Sequence, residues 1–199
     1  MQISNRVKIF LLILHIVNIS YGQNSFTDNR DGEVYNTMII NGIEWMTDNL
    51  RYKSEESYFF LNKSQLQEHG RLYRHAQALT VCPEGWKLPT IKDWENLINY
   101  YGGREIAGKF LKKKSDDWYS SEATSEIEPK GFNITPSGIM FFSVRYNHFG
   151  ERVFYWASDI PEYDKERALG VLFDYRYHGV YAKQGFYRET GTCVRCIKK

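Results

Sequence analysis

The sequence predicts a single α+β domain, and three observations carry that reading. Two apolar runs flank Asn41-Gly42 in "GEVYNTMIINGIEWMTDNLRY", the pair that two-residue hairpins favour because both turn positions need positive φ. In "LPTIKDWENLINYYGG", Trp94, Leu97, Ile98 and Tyr101 fall at i, i+3, i+4 and i+7, one buried face of a helix. From Asp116 onward, Gly, Pro and Ser punctuate aromatic, β-branched runs such as "GIMFFSVRY", "RVFYWAS" and "ALGVLFDYRY", which read as antiparallel strands. No internal repeat or linker divides the 199 residues, about the length of one domain.

Taken in order, "MQISNRVKIFLLILHIVNISYGQ" has Arg6 and Lys8, an apolar run from Ile9 to Val17, then Ser20-Tyr21-Gly22. Small residues at −3 and −1 mark a secretory signal over residues 1–22. The run is shorter than the roughly 20 apolar residues a bilayer span needs and carries His15. The mature protein is therefore expected in an oxidising space, secreted to the periplasm or outside the cell, with no membrane span after cleavage. The formal charge of +2 falls to zero once Arg6 and Lys8 leave, so no field draws in nucleic acid or an acidic membrane. Trp 5, Tyr 15 and Phe 12 exclude a disordered or coiled-coil chain.

"FTDNRDG" is a turn cluster; a calcium loop would need the EF-hand order and a closing Glu, which it lacks. The hairpin follows. "KSEESYFFLNKSQLQEHG" reads as a polar surface loop, and "RLYRHAQALTVCPEGW" as a short strand and a short helix stopped by Pro83 and Gly85. The main helix has Thr90 and Asp93 in a capping-box arrangement and Gly102-Gly103 as its stop. "REIAGKFLKKK" predicts a second helix with Ile106, Ala107, Phe110 and Leu111 inward and its lysines at the C-terminal end, where the dipole favours them.

The chain ends in "GTCVRCIKK" and has 3 Cys. A redox CxxC opens a helix, whereas this segment is strand-like. A closed zinc site needs four ligands; only Cys82 remains, and the five His show no ligand spacing, so no metal site is expected. Cys193 and Cys196 fall on opposite faces of a strand, so an exported compartment favours a bridge from Cys82 to one of them.

"DNRDGEVYNTMIINGIEWMTDNLRY", "GRLYRHAQALTVCPEGWKLPTIKDWENL", "AGKFLKKKSDDW", "GFNITPSG", "YWAS" and "CVRCIKK", in this order, resemble the Fibrobacter succinogenes major paralogous domain of exported bacterial proteins, here residues 23–199. That family is grouped with C-type-lectin-like folds, whose relatives include the formylglycine-generating, sulfatase-modifying domains. The resemblance implies a C-type-lectin-like α+β domain with an N-terminal β-hairpin, two or three short helices and an irregular antiparallel sheet. It also implies a disulfide between Cys82 and Cys196. Cys193 stands where the family has Ser, and His75 where it has Trp. Cys193 is read as a small residue in a Ser-sized site rather than a reactive or intermolecular thiol, and His75 as a packed helix residue rather than a ligand or base.

Such a domain is expected to be a non-catalytic recognition or adhesion module that binds a glycan or another extracellular ligand. The candidate contacts are Arg145, Tyr146 and His148 in "RYNHFGER" and Tyr175, Arg176 and His178 in "DYRYHG", because aromatic faces stack on sugar rings and guanidinium forks bind oxygens. Ordinary sheet packing would place the same residues there. No cofactor is expected. The calcium-lectin signatures Glu-Pro-Asn and Trp-Asn-Asp are unmatched, since Lys130 follows Glu128-Pro129 and Trp156 stands apart from Asp159. The alternatives are a structural subunit of a surface assembly and an oxidase related to the formylglycine-generating enzymes. The oxidase needs a cysteine pair that bridging Cys82 to Cys196 would remove.

Overall fold

The computed structural model describes residues 24–59, 67–141 and 145–199; the expected leader and the middle of the 53–70 loop lie outside them. One five-stranded sheet joins β1 (Asn24–Thr27), β2 (Val34–Ile40), β3 (Ile43–Met46), β4 (Trp86–Lys87) and β10 (Ile197–Lys198), in the order β1-β2-β3-β10-β4. The other contains β5 (Ser137–Phe141), β6 (Arg145–Phe149), β7 (Arg152–Trp156), β8 (Arg167–Asp174) and β9 (Val180–Tyr187), in the order β6-β5-β7-β8-β9. The expected antiparallel sheet is thus two sheets, and the pairing of β5 with β7 is parallel. Mixed sheets tolerate such a pair where a crossover connects the strands.

The hairpin forms as expected: Ile40 faces Ile43 across Asn41 and Gly42, whose φ values are 49° and 80°. More helical pieces than the expected two or three stand among the described residues: α1 (His75–Ala78), α2 (Ile91–Tyr100), α3 (Ala107–Leu111) and α4 (Glu122–Ser125), with residues 67–69 helical as well. Helices α1 and α4 are single turns, too short to leave a periodic signal. No helix among the described residues is long and apolar enough to cross a membrane.

In α2, Thr90 Oγ1 accepts from the Asp93 N–H at 3.1 Å while the Asp93 carboxylate accepts from the Thr90 N–H at 2.8 Å, which satisfies two of the orphan donors at the helix start. Trp94, Leu97 and Ile98 are buried against Trp45, Phe132 and Tyr155, and Tyr101 is half-buried. Strand β7 is apolar on both faces. Val153 and Tyr155 enter one core, Phe154 and Trp156 the other, and the terminal segment divides likewise, with Cys193 and Ile197 against Val194 and Cys196.

His75 is buried in α1, its Nε2 3.0 Å from the Ala157 carbonyl and its ring edge-on to Trp156, the packed role expected of it. The second helix departs from expectation. Ile106 is 40% exposed and occupies the N-cap, while Gly108 faces inward. The Gly108 N–H donates to the His178 carbonyl at 2.8 Å, and a Cβ there would stand 2.4 Å from that oxygen. This close approach rotates the buried stripe onto Ala107, Gly108 and Leu111.

Lys112 also departs from expectation. The chain leaves the helix at this residue, and instead of pointing to solvent its side chain is buried, donating to the carbonyls of Asp174 at 2.6 Å and Tyr177 at 2.7 Å. Those bonds compensate in part for taking an ammonium out of water. It is thus a clamp on the β8–β9 connection.

Cys82 and Cys196 are joined, 114 residues apart, which ties the turn after α1 to the terminal strand. Closing a loop of that length contributes about 4 to 5 kcal/mol in the chain-entropy model. Non-reducing peptide mapping should recover the Cys82–Cys196 pair, and replacing both by Ala should lower the unfolding free energy by roughly that 4 to 5 kcal/mol. A Cys82–Cys193 peptide, or an unchanged denaturation midpoint, contradicts this.

Burial lowers the Lys112 amine from 10.5 to about 8. Between these values the unfolded chain binds more protons than the fold, so this residue makes stability rise with pH across that window and withholds the gain below it. Cys193, pushed by burial from 9.0 to about 12, acts oppositely above pH 9, so the comparison is made between wild type and Lys112→Met, both of which carry the thiol. From pH 7 to 10 the stability of wild type relative to Lys112→Met should rise by roughly 1 to 3 kcal/mol; a constant difference in urea titrations contradicts the buried clamp.

Candidate functional site

The clamped connection between β8 and β9 forms one wall of a cleft of about 640 Å³. Its shape starts at Asp174, the last residue of β8. The buried carboxylate accepts from the Arg176 N–H at 3.0 Å, from Arg176 Nε at 2.9 Å and Nη2 at 2.8 Å, and from Arg152 Nε at 2.8 Å. Burial acts to raise the Asp174 carboxyl, but the bonds from Arg176 and Arg152 outweigh it and hold the group below its ordinary value. Lys112 and Gly108 fix the carbonyls of the next few residues, and the Val180 N–H donates to the Arg104 carbonyl at 2.8 Å. The loop is therefore held by backbone bonds on both sides, a rigid mounting of the kind that precise recognition needs.

Two rings stand at the cleft. Tyr177 is 46% exposed and Tyr181 42%, their centroids 6.3 Å apart and near perpendicular. The Arg176 guanidinium lies 5.3 Å from the Tyr177 ring, a cation–π distance. The cleft is also lined by Glu122 of α4 and, just beyond its end, Glu126, whose Oε2 is 2.8 Å from His178 Nε2. Glu105, Arg104 and Gln184 complete the rim. Apolar faces, carboxylate acceptors and amide and guanidinium donors thus converge on one concavity, the composition of a small-ligand site.

The sequence candidates divide between surfaces. Arg176 and His178 line the cleft. Tyr175 backs it, its ring 5.8 Å from Tyr119 and its carbonyl accepting from Ser121 Oγ at 2.6 Å. Arg145, Tyr146 and His148 stand on β6, across the sheet from β9, and none of them lines the cleft. Arg145 is exposed, and Tyr146 is half-buried against the core. His148 turns the strand with φ 63° and pairs with Glu151 at 2.8 Å. Tyr177, Tyr181 and Glu126 were not among the sequence candidates. Tyr181 did carry a signal, since in "VYAK" it alternates with the buried Val180 and Ala182.

A second polar group lies outside the lining of the cleft. Ser137 Oγ is 3.5 Å from His69 Nδ1, and Asp117 Oδ2 is 3.4 Å from His69 Nε2. Serine, histidine and aspartate in a row suggest a nucleophile, yet Ser137 is 1% exposed and its hydroxyl also faces Thr135 and Asn49. A substrate carbonyl has no approach to it. Cys193 lies beside this group, free, fully buried and with its thiol pushed up to about 12 by burial. An activated thiol has the reverse environment, partly exposed and electropositive. His69 belongs to the segment expected to be a surface loop; it is buried instead, because its carbonyl is the acceptor for Asn49 Nδ2 at 2.9 Å.

No curated protein and no solved structure matches the chain. The family model described as the Fibrobacter succinogenes major domain matches residues 38–198, a span that takes in the hairpin turn, the disulfide, the clamped loop and the cleft. The chain is a member of the Fibrobacter succinogenes major domain family.

Proposed function

We propose that this domain is an exported, non-catalytic recognition module and that the cleft beside the β8–β9 loop takes a glycan. The observation that carries the reading is the pair of half-exposed rings, Tyr177 and Tyr181, that line one concavity together with Glu122 and Glu126, beside a loop clamped by Lys112. Tyrosine faces stack on the C–H faces of sugar rings, and carboxylates accept from sugar hydroxyls. The rim mixes arginines with carboxylates, which suits a largely neutral sugar better than a polyanion.

A place among C-type-lectin-like folds is part of the same proposal. In its support, the terminal strand β10 returns to pair with β3 and β4, and the Cys82–Cys196 bridge closes that base. The burial of Cys193 and Ser137 favours recognition over an oxidase or hydrolase. Fold analogy alone would not choose between them.

A glycan array probed with the mature protein supplies the ligand, and Tyr181→Ala and Tyr146→Ala then separate the surfaces. Tyr181→Ala should lose at least about tenfold in affinity, as expected for losing one stacking ring, with an unchanged thermal midpoint. Tyr146→Ala, outside the cleft, should retain affinity in whatever fraction stays folded. An array without binding, or normal binding by Tyr181→Ala, contradicts the proposal.

A further inference from the structure

We infer that Glu68, His69 and Asp117 form a divalent-metal site of the zinc type, separate from the cleft. One imidazole nitrogen and one oxygen from each carboxylate lie within 4.8 Å of one another. Nitrogen with carboxylate oxygen is a donor set that zinc accepts at about 2.0 to 2.2 Å, and three protein ligands leave a fourth position for water or a ligand group. Calcium prefers six or more oxygens, which this site does not offer.

The central ligand is preorganised. His69 is 4% exposed, its ring edge-on to Phe149 at 4.8 Å. Nε2 faces Asp117, while Nδ1 lies 3.5 Å from the Ser137 hydroxyl, the arrangement in which an outer-shell partner fixes the tautomer and orientation of a ligating histidine. Its backbone is fixed too. The His69 carbonyl accepts from Asn49 Nδ2, and the next residue, Gly70, runs so close to Asn49 that a Cβ would stand 2.5 Å from that residue's own Cβ. Asp117 is oriented by Ser115 Oγ, which donates to Oδ2 at 2.8 Å.

Glu68 is the exposed, adjustable ligand, and its Oε1 is held by Lys113 Nζ. The lysine therefore already supplies Glu68 with a positive charge. A metal ion must displace it, and a partly exposed ammonium can return to water at little cost. This makes Lys113 a competitor of the ion rather than a bystander.

Isothermal titration of zinc chloride into the intact protein tests the site. One ion per chain should bind, with a rise in thermal midpoint. Asp117→Asn and Glu68→Gln should each weaken binding at least about tenfold, whereas Lys113→Gln should tighten it. These three side chains are partly exposed, so folding is not at stake as it would be for His69. Calcium chloride should give no comparable binding. Absence of zinc binding, equal binding of calcium, zinc binding unchanged in both carboxylate variants, or weakening by Lys113→Gln would each overturn the inference.

Discussion

A buried guanidinium holds the two halves of this fold in register. Arg195 is 1% exposed and sits between the rings of Phe132 and Tyr155, with its carbon centre 4.6 Å and 5.3 Å from their centroids. Among the described residues no carboxylate is within ion-pair distance of it. Neutral oxygens accept its hydrogen bonds: Nε donates to Asn49 Oδ1 at 2.9 Å, Nη1 to the Phe132 carbonyl and Nη2 to the Asn133 carbonyl at 2.7 Å. Asn49 is the counterpart. Its Oδ1 also accepts from Tyr155 Oη at 2.7 Å, and its Nδ2 donates to the His69 carbonyl. A charge in such a place is costly unless hydrogen bonds compensate it, so the loops that supply those oxygens have little freedom to be elsewhere.

Much of the remaining structure follows from this constraint. The fork fixes the 132–133 backbone, and Ile134 next to it pairs with Lys112 in a short parallel bridge. Lys112 in turn holds the β8–β9 loop and therefore the wall of the cleft. On the other side, Asn49 fixes the His69 carbonyl, which presents that imidazole to Asp117. The cleft and the proposed metal site are thus separate features mounted on one polar frame, while the disulfide holds the terminal segment that carries Arg195.

Local patterns made part of this legible. Asn41-Gly42 specifies its hairpin because few residue pairs tolerate two positive φ values, and Thr90, Asp93 and the 94/97/98 spacing specify α2 without help from elsewhere. The pairing of Cys82 with Cys196 came with the family resemblance, since spacing left both terminal cysteines open. The buried lysine and arginine were not legible in the same way. Lys112 looks like its neighbours Lys113 and Lys114, and what buries it is a pair of carbonyls more than 60 residues away. Arg195 did carry a hint, lying between Val194 and Cys196 in a segment apolar on both faces. The cleft was half legible: Arg176 and His178 reach it, but the three β6 candidates do not, because sequence clustering says nothing of which sheet edge a strand occupies.

The most direct test of this frame is a double-mutant cycle on Asn49→Ala and Arg195→Lys, with unfolding free energies from urea titration. If the two side chains act as one unit, each change alone should cost about 2 to 4 kcal/mol, and the double variant should fall short of their sum by 1 kcal/mol or more. Lysine keeps the charge but not the fork, so a mild effect of Arg195→Lys, or additive effects of the two changes, would contradict the account.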